Sequence, residues 1–259
     1  MNILITGGNG YIAKNLSKNL IDYDITSISR KDFDLTNKEA TTQWFKNKFF
    51  DVIIHTAIKG GSRLNQDNGE IFYQNLQMFY NLYYNKLHFN KFIHFGSGAE
   101  LGQPDDPYGL SKKIINELIS SEPDFYNIRI FGVFDENELD TRFIKSNLIR
   151  YINKQPMEIH NDKLMDFFYM KDLILLVEHC MTNNYNSSTD CTYTNSLKLS
   201  EIADIINKLD SYQVDININD PKSIESYVGG FNDIVLPYIG LVRGIKETYN
   251  KLKEQYEAN

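Results

Sequence analysis

Residues 2–13, NILITGGNGYIA, form a β-branched run that ends in a glycine-rich turn and continues into a helical pattern. Gly7 permits the tight turn, and Gly10 lets the backbone approach a pyrophosphate at the N-terminus of the following helix. Ala13 occupies the position where a third glycine is often found, and its small side chain still permits close packing of the helix on the strand. A plain structural turn is the alternative interpretation, but the placement at the first strand of a βα unit favours a nucleotide-binding loop.

Short apolar runs alternate with helical patterns through the first half of the chain. The predicted strands are 2–6, 24–29, 51–56, 91–95 and 126–131, and the predicted helices lie near 10–21, 37–48, 67–88 and 107–120. The strands are almost entirely apolar, as expected for strands that are covered on both faces. This alternation predicts an α/β fold with a Rossmann-type, doubly wound parallel sheet and right-handed crossovers.

The regular alternation of predicted strands and helices ends after residue 132. A short strand is predicted at 157–160, with helices near 140–154, 170–183, 200–209 and 240–256. We therefore expect an NADP-binding Rossmann domain over 1–132 and a smaller substrate-binding lobe over most of 133–259, in a single compact unit where the lobe does not fold independently. The lobe should lie over the carboxyl ends of the strands, where open α/β sheets hold their ligands.

Composition and charge disfavour several classes of protein. The net charge of −7 in 259 residues argues against a nucleic-acid partner, because an extended phosphate backbone calls for a basic surface. Cys180 and Cys191 are the only cysteines; they form no disulfide framework and no metal-ligand spacing, so no metal site is predicted. With no leader-like segment and no apolar run of roughly 20 residues, we expect a cytoplasmic protein without membrane contact.

The residues after the second strand bear on which dinucleotide is bound. NAD sites place an acidic residue there for the ribose hydroxyls, whereas this chain has Ser29-Arg30-Lys31. A cation beside the adenosine ribose suits a 2′-phosphate, which favours NADP. NAD stays possible, because both cations can instead face water and Asp32 lies close by. The stretch Asp34-Leu35-Thr36 is expected to cap the next helix, with Asp34 free to reach the adenine amino group.

The stretch FGSGAELGQPDDPYGLSK, residues 95–112, places a serine, a tyrosine and a lysine close together in sequence. Tyr108 and Lys112 are spaced i, i+4 and share one face of a helix, a spacing that ordinary surface pairs also have. A lysine ammonium near a phenol lowers the phenol's pKa, so Tyr108 can exchange a proton with a substrate oxygen while hydride moves to or from the attached carbon. Ser97, after the fourth strand, can hold the same oxygen. Downstream of a dinucleotide loop, this set predicts the reactive centre of an oxidoreductase.

Five motifs together, TGGNGYIA, DLT, HTA, GSGAELG and PYGLSK, resemble the extended short-chain dehydrogenase/reductases that act on nucleotide sugars, within the NAD-dependent epimerase/dehydratase family. DFFYMKDL at 166–173 is similar to the family's motif in the second lobe. IKGGSRLNQ at 58–66, followed by FYQN at 72–75, is most similar to the GDP-fucose synthases of the family. The resemblance implies bound NAD(P), a sugar-binding lobe and a catalytic triad of Ser97, Tyr108 and Lys112.

The same match implies which residues surround the cofactor. Asn75 would border it, and His55 lies in the third strand near the glycine loop, where neutral core packing is favoured over proton transfer. The full predicted cofactor set is Gly7, Gly10, Tyr11, Ile12, Arg30, Asp34, Leu35, His55, Ala57, Asn75, Tyr108 and Lys112.

The residues around the triad indicate which reaction is carried out. Dehydratases of the family have an acidic pair just after the serine, whereas this chain has Gly98-Ala99. GDP-fucose synthases epimerise with a cysteine and a histidine. The matching positions here are Ala99, which cannot exchange a proton, and Arg142, which stays protonated. The remaining chemistry is NADPH-dependent reduction of the 4-keto group of a nucleotide-linked deoxysugar, without epimerisation at C3 or C5.

The substrate side departs further from the family pattern. An asparagine and an arginine that family members often carry are replaced here by Gly132 and Met165. Arg150 matches another diphosphate-binding arginine, and Lys163 is a candidate for part of the lost charge, although each can also be a solvated surface cation. The predicted substrate set is Ser97, Tyr108, Arg142, Arg150 and Lys163.

Two further functions stay open, and a dimer is expected. A nucleotide-sugar 4-epimerase with retained NAD uses the same triad, and a non-catalytic NADP-binding sensor or scaffold needs no turnover. The run IFYQNLQMFYNLYYNKL, residues 71–87, is apolar around most of its circumference, which predicts burial against the sheet and against a second copy. The family resemblance likewise implies homodimers through this helix and the 107–120 helix.

Overall fold

The computed structural model describes residues 1–61, 67–102, 104–184, 188–220, 225–230, 232 and 234–257. Residues 62–66, part of the stretch on which the likeness to GDP-fucose synthases rests, lie outside the described residues. The chain forms two compact units, Met1–Arg129 with Leu176–Thr189, and Ile130–Leu175 with Asp190–Asn259. The boundary expected at residue 132 therefore lies between 129 and 130, and residues 176–189 return to the first unit.

The secondary-structure elements follow in chain order. In the described part of the chain the strands are β1 (Asn2–Thr6), β2 (Asp24–Ile28), β3 (Phe50–His55), β4 (Phe89–Ser97), β5 (Phe125–Ile130), β6 (Val133–Phe134), β7 (Met157–Asn161), β8 (Leu164–Met165), β9 (Phe168–Tyr169), β10 (Ser188–Asp190), β11 (Leu197–Lys198) and β12 (Ile216–Asp220). The α-helices are α1 (Tyr11–Asn19), α2 (Lys38–Phe45), α3 (Gly69–Tyr83), α4 (Pro107–Ile119), α5 (Phe143–Ile152), α6 (Met170–Thr182), α7 (Leu199–Ile206) and α8 (Leu241–Glu257). Two single 3₁₀ turns cover Lys86–His88 and Gly98–Glu100.

A six-stranded sheet in the order β10-β5-β4-β3-β1-β2 organises the fold. The pairings of β1 with β2, of β1 with β3 and of β3 with β4 are all parallel. Parallel neighbours bring their carboxyl ends to the same edge of a sheet, so the segments after β1, β3 and β4 lie side by side. The predicted Rossmann-type α/β fold is confirmed.

The apolar strands form the core that holds this edge in place. Leu4, Ile53 and Phe92, from β1, β3 and β4, belong to one buried cluster together with Phe79 of α3 and Ile115 of α4. These side chains are almost completely buried, as expected for a parallel sheet that carries helices on its faces. The packing fixes α3 and α4 against the strands that end at the candidate site.

The start of α2 differs from the expectation. Asn37, rather than Asp34, is the N-cap of this helix, and its side-chain oxygen accepts a hydrogen bond from the backbone N–H of Ala40 at 2.9 Å. Asp34 instead accepts from both the backbone N–H and the hydroxyl of Thr36. The prediction that the stretch Asp34-Leu35-Thr36 caps α2 is wrong, because Asn37 is the cap and Asp34 closes its own short turn three residues before it.

In the described residues of the second unit, β6 pairs with β9, β7 with β12 and β8 with β11, each pair as a two-stranded sheet. The predicted strand at 157–160 is β7. Its partner β12 was not predicted, because ININD has only two apolar side chains, and in the structure this strand is half-buried to exposed. Tyr151 of α5, Met157 of β7, Tyr169 of β9 and Ile202 of α7 belong to the buried cluster of this unit.

Within the described residues, no helix combines the length and the apolar character needed to cross a membrane.

Candidate active site and cofactor loop

The turn after β1 requires glycine at its first position. Gly7 has a φ of +73°, and a Cβ placed there would lie 2.8 Å from the backbone of Ala57. The turn is closed by two backbone hydrogen bonds, from Gly8 N–H to the Ile28 carbonyl and from Gly10 N–H to the Gly7 carbonyl, each 2.7 Å long. The loop therefore lies tightly between the ends of β2 and β3.

Helix α1 starts directly at this turn. Gly10 is its N-cap in an extended conformation, and it provides no side-chain cap for the N–H groups of the first turn. The first turn contains no acidic residue that would neutralise the positive end of the helix. Tyr11 and Ile12, both predicted to border a cofactor, are half-buried in this turn. This is the arrangement that a pyrophosphate can use.

The segment after β2 carries the charges that were expected near the adenosine ribose. Asp32 is turned back on the chain and accepts hydrogen bonds from the backbone N–H and the hydroxyl of Ser29. Arg30 has an exposed side chain. The pKa of Asp34 is lowered, first by the hydrogen bond from the Thr36 backbone and then also by the positive charges of Arg30 and a nearby lysine. Arg30 thus lies close to an ionised Asp34, whereas the carboxylate of Asp32 is hydrogen-bonded to Ser29.

Threonine and histidine side chains join the ends of β1 and β3. The Thr6 hydroxyl lies 2.8 Å from Nδ1 of His55, and the Thr56 hydroxyl donates to the Thr6 carbonyl at 2.7 Å. His55 is 2% exposed. Burial, and next the charge of Lys112, lower the pKa of His55 to about 3, so its imidazole is neutral near pH 7. These contacts hold Ala57 against the glycine turn.

Asn75 of α3 holds the segment that follows β3. Its side-chain oxygen accepts from the backbone N–H of Lys59 at 2.9 Å, and its amide donates to the Lys59 carbonyl at 3.1 Å. The same amide donates to the hydroxyl of Ser111 on α4 at 3.1 Å. Asn75 is almost fully buried, and its side chain connects α3, α4 and the loop after β3.

Ser97 is the last residue of β4 and is fixed by a local hydrogen-bond network. Its hydroxyl accepts from the backbone N–H of Ala99, and its own N–H donates to the Glu100 carboxylate. Glu100 also accepts from Arg129 at 2.6 Å and from the amide of Asn127 at 2.8 Å. Burial raises the pKa of Glu100, whereas the pairing with Arg129 opposes that rise. The carboxylate therefore points into the unit and holds the serine backbone.

Tyr108 lies in the first turn of α4. Asp106 is the N-cap of this helix and accepts from the backbone N–H of Gly109 at 2.7 Å, and Pro107 starts the helix. The backbone of Gly61 lies against the aromatic ring, because a Cβ at Gly61 would be 2.8 Å from ring atoms of Tyr108. The positive end of α4 favours the phenolate form of a tyrosine placed there.

Lys112 lies one helical turn after Tyr108 and is 4% exposed. Its ammonium donates to the carbonyl of Phe95 and lies 3.4 Å from Nε2 of His94. The Nζ atom is 5.9 Å from the centroid of the Tyr108 ring. Burial lowers the pKa of Lys112 to about 7, although the charge of Glu100 works in the opposite direction. The i, i+4 spacing thus places a lysine with a near-neutral pKa beside the tyrosine.

The residues predicted to bind the substrate phosphates lie in the second unit. Arg142 is the exposed N-cap of α5, and Arg150 lies in the last turn of the same helix, where it donates to the Pro156 carbonyl. Lys163, between β7 and β8, has its Nζ atom 5.7 Å from the centroid of the Tyr227 ring. Arg142 and Arg150 are about 12 Å apart along the helix axis, from the rise of eight residues.

Three residues around the triad were not predicted: His94, Glu100 and Arg129. In the described residues, no group of His, Cys, Asp and Glu could hold a metal ion. A signal for His94 exists in the paired strands, because His55 and His94 stand in register on β3 and β4. No comparable local pattern indicates the pairing of Glu100 with Arg129.

The sequence matches a known family. Residues 3–194, well over half of the chain, match the model of the NAD dependent epimerase/dehydratase family, in agreement with the motif resemblance. The GDP-L-colitose synthase of Yersinia pseudotuberculosis is 30% identical over 166 residues, which are 61% of this chain and 49% of that protein. The match therefore spans about half the length of that relative.

Solved structures share the fold at low sequence identity. A GDP-mannoheptose C4 reductase from Campylobacter jejuni with NADP bound has a TM-score of 0.75 at 17% identity, over 97% of this chain and 98% of that chain. A UDP-glucose 4-epimerase from Thermus thermophilus in complex with NAD has a TM-score of 0.74 at 15% identity, over 96% and 98%. A GDP-L-fucose synthetase from Naegleria fowleri bound to NADP has a TM-score of 0.75 at 16% identity, over 98% and 93%. The prediction of a nicotinamide cofactor, NADP or NAD, agrees with the family and with these structures.

Glu138, beside Arg142, provides a test of the electrostatics of the second unit. It is buried, its carboxylate accepts from the backbone N–H of Lys145 in the first turn of α5, and burial raises its pKa to about 8. The folded state therefore holds this proton more tightly than the unfolded state, so stability is lost as the pH rises from about 4.5 to about 8. Glu138→Gln keeps a hydrogen-bond acceptor for Lys145 and removes the titrating carboxyl group. We therefore expect its melting temperature, relative to that of the native protein, to increase as the pH rises through this range.

Thermal melts at several pH values measure this difference. The control Asp140→Asn removes a largely exposed carboxylate from the same segment and should show no such trend. A difference between Glu138→Gln and the native protein that stays constant from pH 4.5 to 8 would contradict the raised pKa of Glu138.

Proposed function

We propose that this chain, which belongs to the NAD dependent epimerase/dehydratase family, uses NADPH to reduce the 4-keto group of a nucleotide-linked deoxysugar without epimerisation at C3 or C5. The observation that carries the proposal is the placement of the buried Lys112 ammonium one turn from Tyr108, next to the end of the strand that carries Ser97. A phenol beside a cation is a proton donor to a carbonyl oxygen, and the phenolate left behind is stabilised by that cation.

The three side chains of the triad have separate roles in this reaction. NADPH, when bound, supplies the hydride that reaches the carbonyl carbon. The Tyr108 hydroxyl donates its proton to the carbonyl oxygen as negative charge develops there, and the Ser97 hydroxyl donates a hydrogen bond that orients the same oxygen. In its ammonium form, Lys112 stabilises the Tyr108 phenolate until a proton returns from solvent.

The surroundings of Ser97 support reduction alone. Elimination of water or epimerisation needs an acid and a base that face the sugar carbons. Gly98 and Ala99 have no ionisable side chain, and the neighbouring carboxylate of Glu100 is buried and hydrogen-bonded to Asn127 and Arg129. We therefore assign Glu100 to the support of Ser97 rather than to proton exchange with the sugar.

The charges after β2 support NADP as the preferred cofactor. Asp32 accepts hydrogen bonds from Ser29, which reduces its availability to ribose hydroxyls. Arg30 is exposed and can pair with a 2′-phosphate in the way that a bidentate guanidinium binds phosphate. The GDP-mannoheptose C4 reductase and the GDP-L-fucose synthetase that share this fold were both solved with NADP, which is consistent with this preference.

The diphosphate of the substrate is proposed to contact cations of the second unit. Arg142 and Arg150 lie at opposite ends of α5, so they would contact different groups of one ligand. Lys163 is the third candidate. GDP-L-colitose synthase, the 30% identical relative, and the GDP-mannoheptose C4 reductase are both named for GDP-linked sugars, which makes GDP-linked sugars the first substrates to test.

Incubation of the purified protein with NADPH and a panel of GDP-, UDP- and dTDP-linked 4-keto-6-deoxysugars tests the proposal. We expect oxidation of NADPH with at least one sugar, and slower oxidation of NADH under the same conditions, because Arg30 favours the 2′-phosphate. Loss of NADPH absorbance measures turnover. Absence of oxidation with every sugar, in a protein that binds NADPH, would contradict the proposal, and tightly retained NAD in the purified protein would favour the 4-epimerase.

The matched control for this assay is Tyr108→Phe. Removal of the hydroxyl leaves the ring against Gly61 and removes the proton donor, so turnover should fall by about 100-fold or more, the usual contribution of a general acid. NADPH binding and the melting temperature should stay near native values. A Tyr108→Phe variant that retains full turnover would exclude Tyr108 as the acid, and loss of NADPH binding would indicate a structural role.

We also propose that the protein is a homodimer through α3 and α4. One stripe of large exposed side chains runs along α3 and its C-cap, formed by Tyr73, Tyr80 and Tyr84. Leu87, just beyond the helix, and Leu110 of α4 are also exposed within the chain. Large apolar side chains in such a stripe are typical of a protein–protein interface. We expect Tyr80→Glu to convert dimer to monomer in size-exclusion chromatography with light scattering.

A control substitution separates this interface from general effects on solubility. Ile21→Glu changes an exposed apolar side chain outside the stripe and should leave the dimer intact. A native protein that is monomeric at micromolar concentration would contradict the proposed dimer.

A further inference from the structure

We infer that His94 is a positioning residue that sets the protonation state of Lys112 through a hydrogen bond from the lysine ammonium to its Nε2 atom. The inference deepens the proposed function, because it rests on the roles proposed for Tyr108 and Lys112. His94 is a residue of β4 and lies in the interior of the first unit.

The strand register explains how a histidine comes to lie under the lysine. His94 is paired with His55 across the parallel strands β4 and β3, and the two ring centroids are 5.5 Å apart. Both rings are buried, at 0% and 2% exposure. Because paired residues of neighbouring strands point to the same face of a sheet, both imidazoles lie on the face from which Lys112 approaches on α4.

The hydrogen-bonding capacity of Lys112 assigns the proton on His94. The ammonium form of Lys112 has three donors and no acceptor, so in that form the Nε2 atom of His94, 3.4 Å away, accepts the hydrogen bond. His94 is then neutral and carries its proton on Nδ1. Burial, followed by the positive charge of Lys112, lowers the pKa of His94, which keeps the ring neutral near pH 7.

The hydrogen bonding of the two ring nitrogens of His94 indicates that its role is the contact with Lys112 rather than core packing. Within the described residues this atom is buried and has no hydrogen-bond partner. A leucine or phenylalanine would fill this apolar position without an unsatisfied donor. The polar atom that is satisfied, Nε2, contacts Lys112, so the side chain gains its one useful polar contact at the lysine.

The other groups around Lys112 act on it in different ways. The Phe95 carbonyl accepts from the ammonium and is fixed in β4. Glu100 raises the pKa of Lys112 through its charge, but its carboxylate is bonded to Arg129. His55 is neutral and hydrogen-bonded to a threonine, and Tyr108 lies on the same helix as the lysine. Among the described residues, His94 is the side chain in hydrogen-bond contact with the ammonium.

Removal of the His94 acceptor is expected to change the pKa of Lys112 in one direction. A neutral acceptor stabilises the ammonium relative to the amine, so its loss lowers the pKa of Lys112 below the native value of about 7. Less ammonium is then present at neutral pH, and the Tyr108 phenolate loses stabilisation. The pKa of Tyr108 therefore rises, and a reduction that needs the protonated phenol should stay active to higher pH.

Titration of Lys112 by NMR tests the inference without any substrate. Native protein, His94→Leu and His94→Gln are labelled with an NMR-active carbon at lysine Cε, and the Lys112 signal is identified by its loss in Lys112→Met. We expect the midpoint to fall by about one pH unit in His94→Leu, in line with a hydrogen bond to a charged group. His94→Gln, whose amide oxygen can accept at the place of Nε2, should recover most of this shift.

A packing control and a second measurement complete the test. Phe92→Leu changes a buried side chain of the same strand and should leave the Lys112 midpoint unchanged. If His94→Leu does not fold, the nitrogen chemical shifts of native His94 decide the matter: the Nδ1–H tautomer supports the inference, and the Nε2–H tautomer overturns it. An unchanged or higher midpoint in His94→Leu, or a midpoint in His94→Gln as low as in His94→Leu, also overturns it.

The outcome is separable from that of the proposed function. A shift of the Lys112 midpoint together with no turnover on any sugar would support the positioning role and contradict the ketoreductase. Turnover with an unshifted midpoint would do the reverse. Where turnover is found, the alkaline limb of the pH profile should move to higher pH in His94→Leu and return in His94→Gln.

Discussion

The burial of the Lys112 ammonium is the constraint on which the rest of the site depends. A cation with 4% exposure has lost most of its hydration, and it is held by the Phe95 carbonyl and the His94 imidazole. Its pKa of about 7 follows from that burial. A buried cation interacts with a neighbouring phenol far more strongly than a hydrated one does, because the effective dielectric constant is lower. The chemistry proposed for Tyr108 therefore depends on the packing of α4 on β4.

The same strands also organise the cofactor loop. β1, β3 and β4 are adjacent and parallel, so the glycine turn, the loop at Ala57 and the end of β4 at Ser97 come to one edge of the sheet. Hydrogen bonds fix each of these segments, through Thr6 with His55, through Asn75 and through Glu100. A nicotinamide cofactor held on the glycine turn and a carbonyl held by the triad would thus be positioned by one rigid set of strands.

Local patterns allowed much of this to be predicted from the sequence. The glycine turn, the apolar strands and the i, i+4 spacing of Tyr108 and Lys112 each lie within a few residues, and the structure contains all three. The contacts that tune the site could not be predicted in this way, because His94 meets Lys112, and Glu100 meets Arg129, only through strand register and helix packing. The cap of α2 was misassigned since both Asp34 and Asn37 are good cap residues, and only the backbone conformation distinguishes them. The substrate-binding roles of Arg142, Arg150 and Lys163 stay predictions, because they depend on a ligand.

The proposed reaction reduces the carbonyl and leaves the neighbouring carbons of the sugar untouched. Turnover of a 4-keto-6-deoxysugar with NADPH in deuterated water measures this directly, with the sugar incubated without protein as the control for spontaneous exchange. We expect a product that carries hydrogen from NADPH at C4. We expect no enzyme-dependent deuterium at C3 or C5, because Gly98 and Ala99 cannot exchange protons. Deuterium introduced by the protein at C3 or C5 would contradict it.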